Sequence, residues 1–152
     1  MFNLIERITE NCAVSVCGEK HYVRSKTLYV TEGEQTNWYA KMVFEDHSIL
    51  VIAPFDEFMY FGRIDNIFGD GWEFPEEIEY NGAKFAKAAS DYQIVKHLVF
   101  GDPMVAEGEV EYADYSSEDA EEVVLSLAVV SRTKKRADVV AKVVEMADIE
   151  LG

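Results

Sequence analysis

Cysteine is nearly absent from this chain. Cys12 and Cys17 are the only two in 152 residues, and two thiols support neither a disulfide-rich scaffold nor a zinc site by themselves. Their ordinary place is a buried or half-buried strand position, in line with the burial preference of the residue. Long apolar runs are missing as well. The longest, Ile49 to Ala53, falls far short of the roughly 20 residues that a membrane-spanning helix requires. Met1 to Val16 carries Glu6, Arg7 and Glu10 and holds no apolar stretch of signal-peptide length. These absences lead to the expectation of a soluble cytoplasmic protein.

Positive charge is the third scarcity. Lys and Arg number 14 against 29 Asp and Glu, for a formal net charge of −15, which repels phosphate backbones and sets nucleic acid aside as a partner. The acids gather in Glu73 to Glu79 and in Glu107 to Glu122, and Arg132 to Arg136 is the one basic run. Solvated turns and strand edges that discourage edge pairing account for such runs. Catalytic signatures are lacking too. The chain has no Gly-x-Ser-x-Gly elbow, phosphate-binding loop, dinucleotide fingerprint or His-Glu-x-x-His pair. His21, His47 and His97 are scattered. His21 lies near Cys17 across the first hairpin, but a nucleophile there needs an open pocket. The expectation is a protein without catalytic residues, bound metal or cofactor.

What is present is strand signal. Sequence elements recur in two stretches: a glycine-turned hairpin (Cys17-Gly18; Asn81-Gly82), aromatic residues (Trp38-Tyr39; Tyr112 and Tyr115), an acidic turn (Glu45-Asp46; Glu118-Asp119) and an apolar run (Ile49 to Ile52; Val123 to Leu125). Asn-Gly between strand-like flanks is a strong hairpin signal, because a type I′ turn needs positive φ at both central residues. Residues 37–44 alternate, with Trp38, Ala40, Met42 and Phe44 on one face and Tyr39, Lys41 and Val43 on the other. Residues 49–53 are apolar on both faces and read as a central strand, and Val123 to Val130 reads likewise. The spacing of Phe2, Ile5 and Ile8 allows a short helix. Residues 137–147 suit either a helical stripe or, by their density of valine, the return arm of a hairpin, which is the preferred reading.

The fold expected is all-β, with ten to twelve short strands and few or no helices. Two similar β units, about 12–64 and 76–150, pack around an approximate twofold axis as a sandwich or a pair of small curled sheets. A turn-rich connector over 65–75 joins them within one domain. Its carboxylates lack the ligand spacing of an EF-hand loop.

Gly18 and Tyr22, Trp38-Tyr39 with Met42-Val43-Phe44, Ile78 to Phe85, and Glu111-Tyr112-Ala113-Asp114-Tyr115 with Val124 to Leu127 carry a resemblance to the bacterial domain of unknown function 4178 family, over roughly residues 12–150. The resemblance implies no established activity. Members look like cytoplasmic accessory domains that accompany membrane-stress or polyamine-related proteins. Many members have a glutamate two residues after the tryptophan, where this chain has Ala40, and an acid after the late aliphatic strand, where it has Ala128-Val129-Val130.

The function expected is non-catalytic binding of another protein, one with a basic surface, through Trp38, Tyr39, Trp72 and Tyr112 and the acids Glu109, Glu111, Glu118 and Glu121. The alternative is sensing of a small ligand or a polyamine-like cation in the cleft between the halves. Exposure of the four aromatics in one patch favours the first.

Overall fold

In the computed structural model, residues 1–31, 38–65, 74–101, 109–130 and 135–152 are described, with side chains except at 30–31, 89–99, 109 and 130. Glu32-Gly33-Glu34 and Asp102-Pro103, which read as turns from sequence, most of the connector with Trp72, most of the basic run and the Glu109 side chain lie outside this set.

Two two-residue turns organise the chain. Cys17-Gly18 and Asn81-Gly82 all take positive φ, at 51°, 83°, 48° and 78°, the type I′ geometry whose twist matches that of the flanking strands. The first joins β1 (Ala13–Val16) to β2 (Glu19–Thr31), and the second joins β6 (Glu77–Tyr80) to β7 (Ala83–Phe100). After β2 come β3 (Trp38–Phe44), β4 (Ser48–Ala53) and β5 (Phe58–Ile64). After β7 come β8 (Glu109–Ser116), β9 (Val123–Val130) and β10 (Val139–Val143). A short helix α1 (Phe2–Arg7) opens the chain, and a 3-10 turn at Met146–Asp148 leads into β11 (Ile149–Leu151). The all-β expectation holds. Residues 139–143 form a strand.

The arrangement differs from a sandwich or a pair of separate sheets. All eleven strands form one antiparallel sheet, in the order β11-β1-β2-β3-β4-β5-β10-β9-β8-β7-β6, and β2 also pairs with β7. That extra pairing joins β2, β3, β4, β5, β10, β9, β8 and β7 into a closed eight-stranded ring. Full closure leaves no free edge within the ring. The halves meet at two antiparallel seams, β5 with β10 (Ile64 to Tyr60 opposite Val139 to Val143) and β2 with β7 (Lys26 to Thr31 opposite Phe100 to Gln93).

Closure depends on strands that change partners. The first residues of β2 pair with β1, and residues from Val23 onward pair with β3 and β7. In the same way β7 pairs first with β6, then with β8, then with β2. Bulges interrupt the register of β2 against β3 and β7 and of β7 against β8. Such bulges increase local twist and bend a strand around a barrel. Lys20 to Arg24 and Thr27 to Thr31 read from sequence as two strands, and the residues between them are a bend within one strand.

Both faces of the ring are covered, which explains why strands such as β4 are apolar throughout. Outside, Ala40, Met42 and Phe44 of β3, Leu50 and Ile52 of β4 and Met59 of β5 form a core with Leu4, Ile5 and Ile8 around α1 and with Val14 and Val16 of β1. Lys26 is buried there and fixes the helix end: its Nζ donates to the carbonyls of Ile5 (2.9 Å) and Ile8 (2.7 Å). On the opposite side, Leu125, Leu127, Ala113 and Tyr115 pack against Ile78 and Phe85 of the β6–β7 hairpin. Inside, Val43, Ile49, Val51, Tyr60, Val139 and Ala141 form one cluster, and Tyr29, Val110 and Ala137 form another.

Candidate functional site: the barrel lumen

Strand alternation sends every second side chain into the ring, and in an eight-stranded barrel that interior is filled by side chains or holds one small ligand. Here a cavity of about 130 Å³ remains. A cavity of roughly 150 Å³ is enough to admit a benzene ring. Its walls come from both halves. Tyr29 of β2, Tyr39 and Lys41 of β3, Phe58 and Tyr60 of β5, Tyr112 and Asp114 of β8 and Ser126 and Ala128 of β9 all line it.

Register places the polar groups. Tyr29 and Tyr39 are direct cross-strand partners, and their rings stack at 5.0 Å with an interplanar angle of 8°. Lys41, one inward position further along β3, holds its Nζ over the Tyr29 ring at 6.0 Å. Asp114 lies opposite Ser126 across β8 and β9. The Tyr60 hydroxyl donates to Ser126 Oγ at 3.2 Å, and Ser126 hydrogen-bonds the Asp114 carboxylate in turn. Asp114 Oδ1 is buried and has no hydrogen-bond partner.

Enclosure shifts the acid–base behaviour of these groups. Burial pushes the Asp114 carboxyl up to about 6 against the opposing pull of the Ser126 hydrogen bond, and it lowers Lys41 to about 8. The tyrosines move the same way: burial raises Tyr29 to about 12 and pushes Tyr39 and Tyr60 up further. Tyr39, Lys41 and Asp114 keep some accessible surface because the cavity itself is accessible, although protein surrounds each of them. At neutral pH Lys41 is therefore an ammonium and Asp114 a carboxylate, and the exposed Asp56 of the β4–β5 turn also lines the cavity. No ion pair joins Lys41 and Asp114, and among the described residues neither finds an opposite charge within 4.0 Å.

A second polar cluster lies on the outer side of the ring. His21 is buried against Phe44 and Phe61, and its Nδ1 meets Asp46 Oδ2 at 2.8 Å. Ser48 donates to Asp46 Oδ1 through its N–H (3.0 Å) and through its hydroxyl. Arg63 donates to the Asp46 carbonyl at 2.8 Å and to Oδ2 at 3.2 Å. Burial raises the Asp46 carboxyl, but the Ser48 and His21 hydrogen bonds outweigh it and hold it at about 2. The geometry is not that of a nucleophile relay. Ser48 Oγ approaches the same nitrogen, Nδ1 (3.4 Å), that the carboxylate occupies, and His21 Nε2 is buried without a partner, whereas a relay uses the two ring nitrogens separately. Glu19, His21 and Asp46 bring potential ligand atoms within 4.8 Å of one another. The Asp46 oxygens are already committed to three partners, one of them the Arg63 guanidinium that a cation would have to displace. The cluster is a structural knot that ties β2, the β3–β4 turn and β5.

The residues singled out from sequence are separated by this fold. Tyr39 and Tyr112 line the lumen. Trp38 has the opposite direction on β3 and makes edge-to-face contacts with Phe2 (5.8 Å) and Phe55 (5.7 Å), both about half exposed. The single aromatic patch is therefore not formed by Trp38, Tyr39 and Tyr112. Glu118 and Glu121 are exposed and Glu111 is half-buried. Cys12 and Cys17 are free, and Cys17 is exposed in its turn and not in a strand. Lys41, Asp114, Tyr29, Tyr60 and Ser126 were not anticipated as site residues. The available signal was Lys41 in mid-strand on the face of Tyr39 and Val43, and Asp114 on the face of Tyr112 in the β8 alternation.

Among the described residues no helix is long and apolar enough to cross a membrane. Comparison of the chain with protein-family models, with curated proteins and with solved structures found no match.

Proposed function

We propose that this protein binds a small molecule inside its barrel and does not transform it. One observation carries the reading: the interior of the closed ring retains a cavity of about 130 Å³, and its walls hold an ammonium and a carboxylate without charged partners among four tyrosines. A core selected only for stability is close-packed and apolar, and uncompensated charges in it are costly. Pockets of mostly apolar and aromatic lining with a few placed polar groups are the usual form of small-molecule sites. The alternative expected from sequence thus moves from a cleft between halves to the space the halves enclose. The resemblance to the bacterial domain of unknown function 4178 family concerns the hairpin frame, and membership in it, with a cytoplasmic accessory role, is part of the proposal.

The test is a screen of single-ring compounds by nuclear magnetic resonance on the full chain with labelled tyrosine rings. Binding that moves the signals of Tyr29, Tyr39 and Tyr60 supports the reading. A screen in which no compound moves them, or in which hits move only surface signals, overturns it.

A second reading rests on a different observation. Phe2, Trp38 and Phe55 form a mutually edge-to-face, partly exposed group on a chain of net charge −15. Rigid aromatic anchors with acidic surroundings suit contact with a basic protein segment. Replacing Phe2 and Phe55 by Ser would then abolish capture of that segment and leave the tyrosine signals of the lumen unchanged.

A further inference from the structure

The geometry points to a small zwitterion as the lumen's occupant, a molecule whose anionic end meets Lys41, whose ammonium end meets Asp114 and whose apolar middle lies against the tyrosine rings. The inference rests on the lumen being a binding site and deepens that reading by naming the class of ligand.

Lys41 and Asp114 stand on β3 and β8, which are three places apart around the eight-membered ring through β2 and β7. They are therefore on different walls, and they make no ion pair with each other. Each group is polar, enclosed and incompletely satisfied. Lys41 Nζ has a ring face at 6.0 Å and no acceptor among the described residues. Asp114 has the single bond from Ser126 and an unpartnered Oδ1. A ligand with one charge would satisfy one wall and leave the other as it is. A neutral ligand would displace water from both and pair with neither, which is the more costly arrangement in an enclosed site. Only a molecule with opposite charges at two ends repairs both. Its middle faces Tyr29, Tyr39 and Tyr60, and cavity size limits it to about one ring or its aliphatic equivalent.

Four probes of one shape separate the possibilities: para-aminomethylbenzoate, para-toluate, para-methylbenzylamine and para-xylene, which are zwitterionic, anionic, cationic and neutral. Each is titrated into the full-length chain at pH 7 and followed by calorimetry. The expected result is that the zwitterion binds at least about tenfold more tightly than either singly charged probe, as enclosed charge pairs warrant. Lys41→Met should bring the zwitterion down to the affinity of the amine without changing the amine, and Asp114→Asn should bring it down to the affinity of the carboxylate. The comparison of probes on the unaltered protein stands even if a variant fails to fold. Equal affinity of para-xylene or of one singly charged probe overturns the inference and leaves a lumen site of another specificity. If none of the four binds, the zwitterion is overturned, and the lumen reading stands or falls separately by the single-ring screen.

Discussion

Asp114 and Lys41 are placed at a cost to stability, and the cost has a pH signature. In the fold Asp114 keeps its proton up to about 6, against 3.8 for the ordinary carboxyl. The folded state therefore binds more protons in that window, and stability falls as pH rises through it. Asp114→Asn keeps the shape and the Ser126 contact without the charge. It should raise unfolding stability at pH 7 by on the order of 2 kcal/mol and leave it unchanged near pH 3, as urea denaturation at the two pH values will show. Lys41 has the opposite slope. It releases its proton at about 8 in the fold and at 10.5 otherwise, so the unfolded chain binds more protons between these values and stability rises with pH across them. Asp46 shows the contrasting case of a charge that stabilises. Its carboxyl is held at about 2, so its contribution is complete above 3.8 and is lost as pH falls toward 2. Asp46→Ala strands His21 and Ser48, both buried, and should cost about 2 to 3 kcal/mol at pH 7 by the same denaturation measurement.

Two glycines show how the strands are held in register, each by a different mechanism. A methyl group added at Gly62 of β5 would lie 2.1 Å from the Val140 carbonyl oxygen and 2.6 Å from Ala141 Cα of β10, so the seam between the halves requires a residue without Cβ. At Gly82 the space is open, but φ is +78°, which a side chain adopts at a cost of about 1 to 2 kcal/mol. Gly62→Ala should cost more, about 3 kcal/mol, because backbone must move, and the two melting temperatures will rank accordingly. The turn at Gly82 was legible because Asn-Gly has a local reason to be there. The spacing of Phe2, Ile5 and Ile8 likewise anticipated α1, and valine density anticipated β10. Residues 20–24 and 27–31 read as separate strands because a bulged bend and a true turn interrupt the alternation alike. Nothing local to Gly62 announces a neighbour in β10, nearly eighty positions away along the chain.

At the scale of the molecule, the sequence carries the all-β class and the split of β3 into the faces of Ala40, Met42 and Phe44 and of Tyr39, Lys41 and Val43. It does not say which face is enclosed. A sandwich and a barrel both bury one face, and the difference lies in the β2–β7 seam, whose partners are distant in sequence. Lys41 reads as an exposed position until closure turns its face inward, and for the same reason Asp114 reads as one more acid in a chain of net charge −15. If the enclosed space is a ligand site and not a packed core, filling it has a specific consequence. Ala128 lines it opposite Tyr112, so Ala128→Leu adds carbon directly to the cavity. The decisive measurement is the affinity of the best single-ring ligand for this variant, taken together with its melting temperature. Binding should be lost while the melting temperature is kept or raised, as cavity filling does. A melting temperature lowered by several degrees, as overpacking a full core produces, or ligand affinity equal to that of the unaltered protein, would contradict a ligand site there.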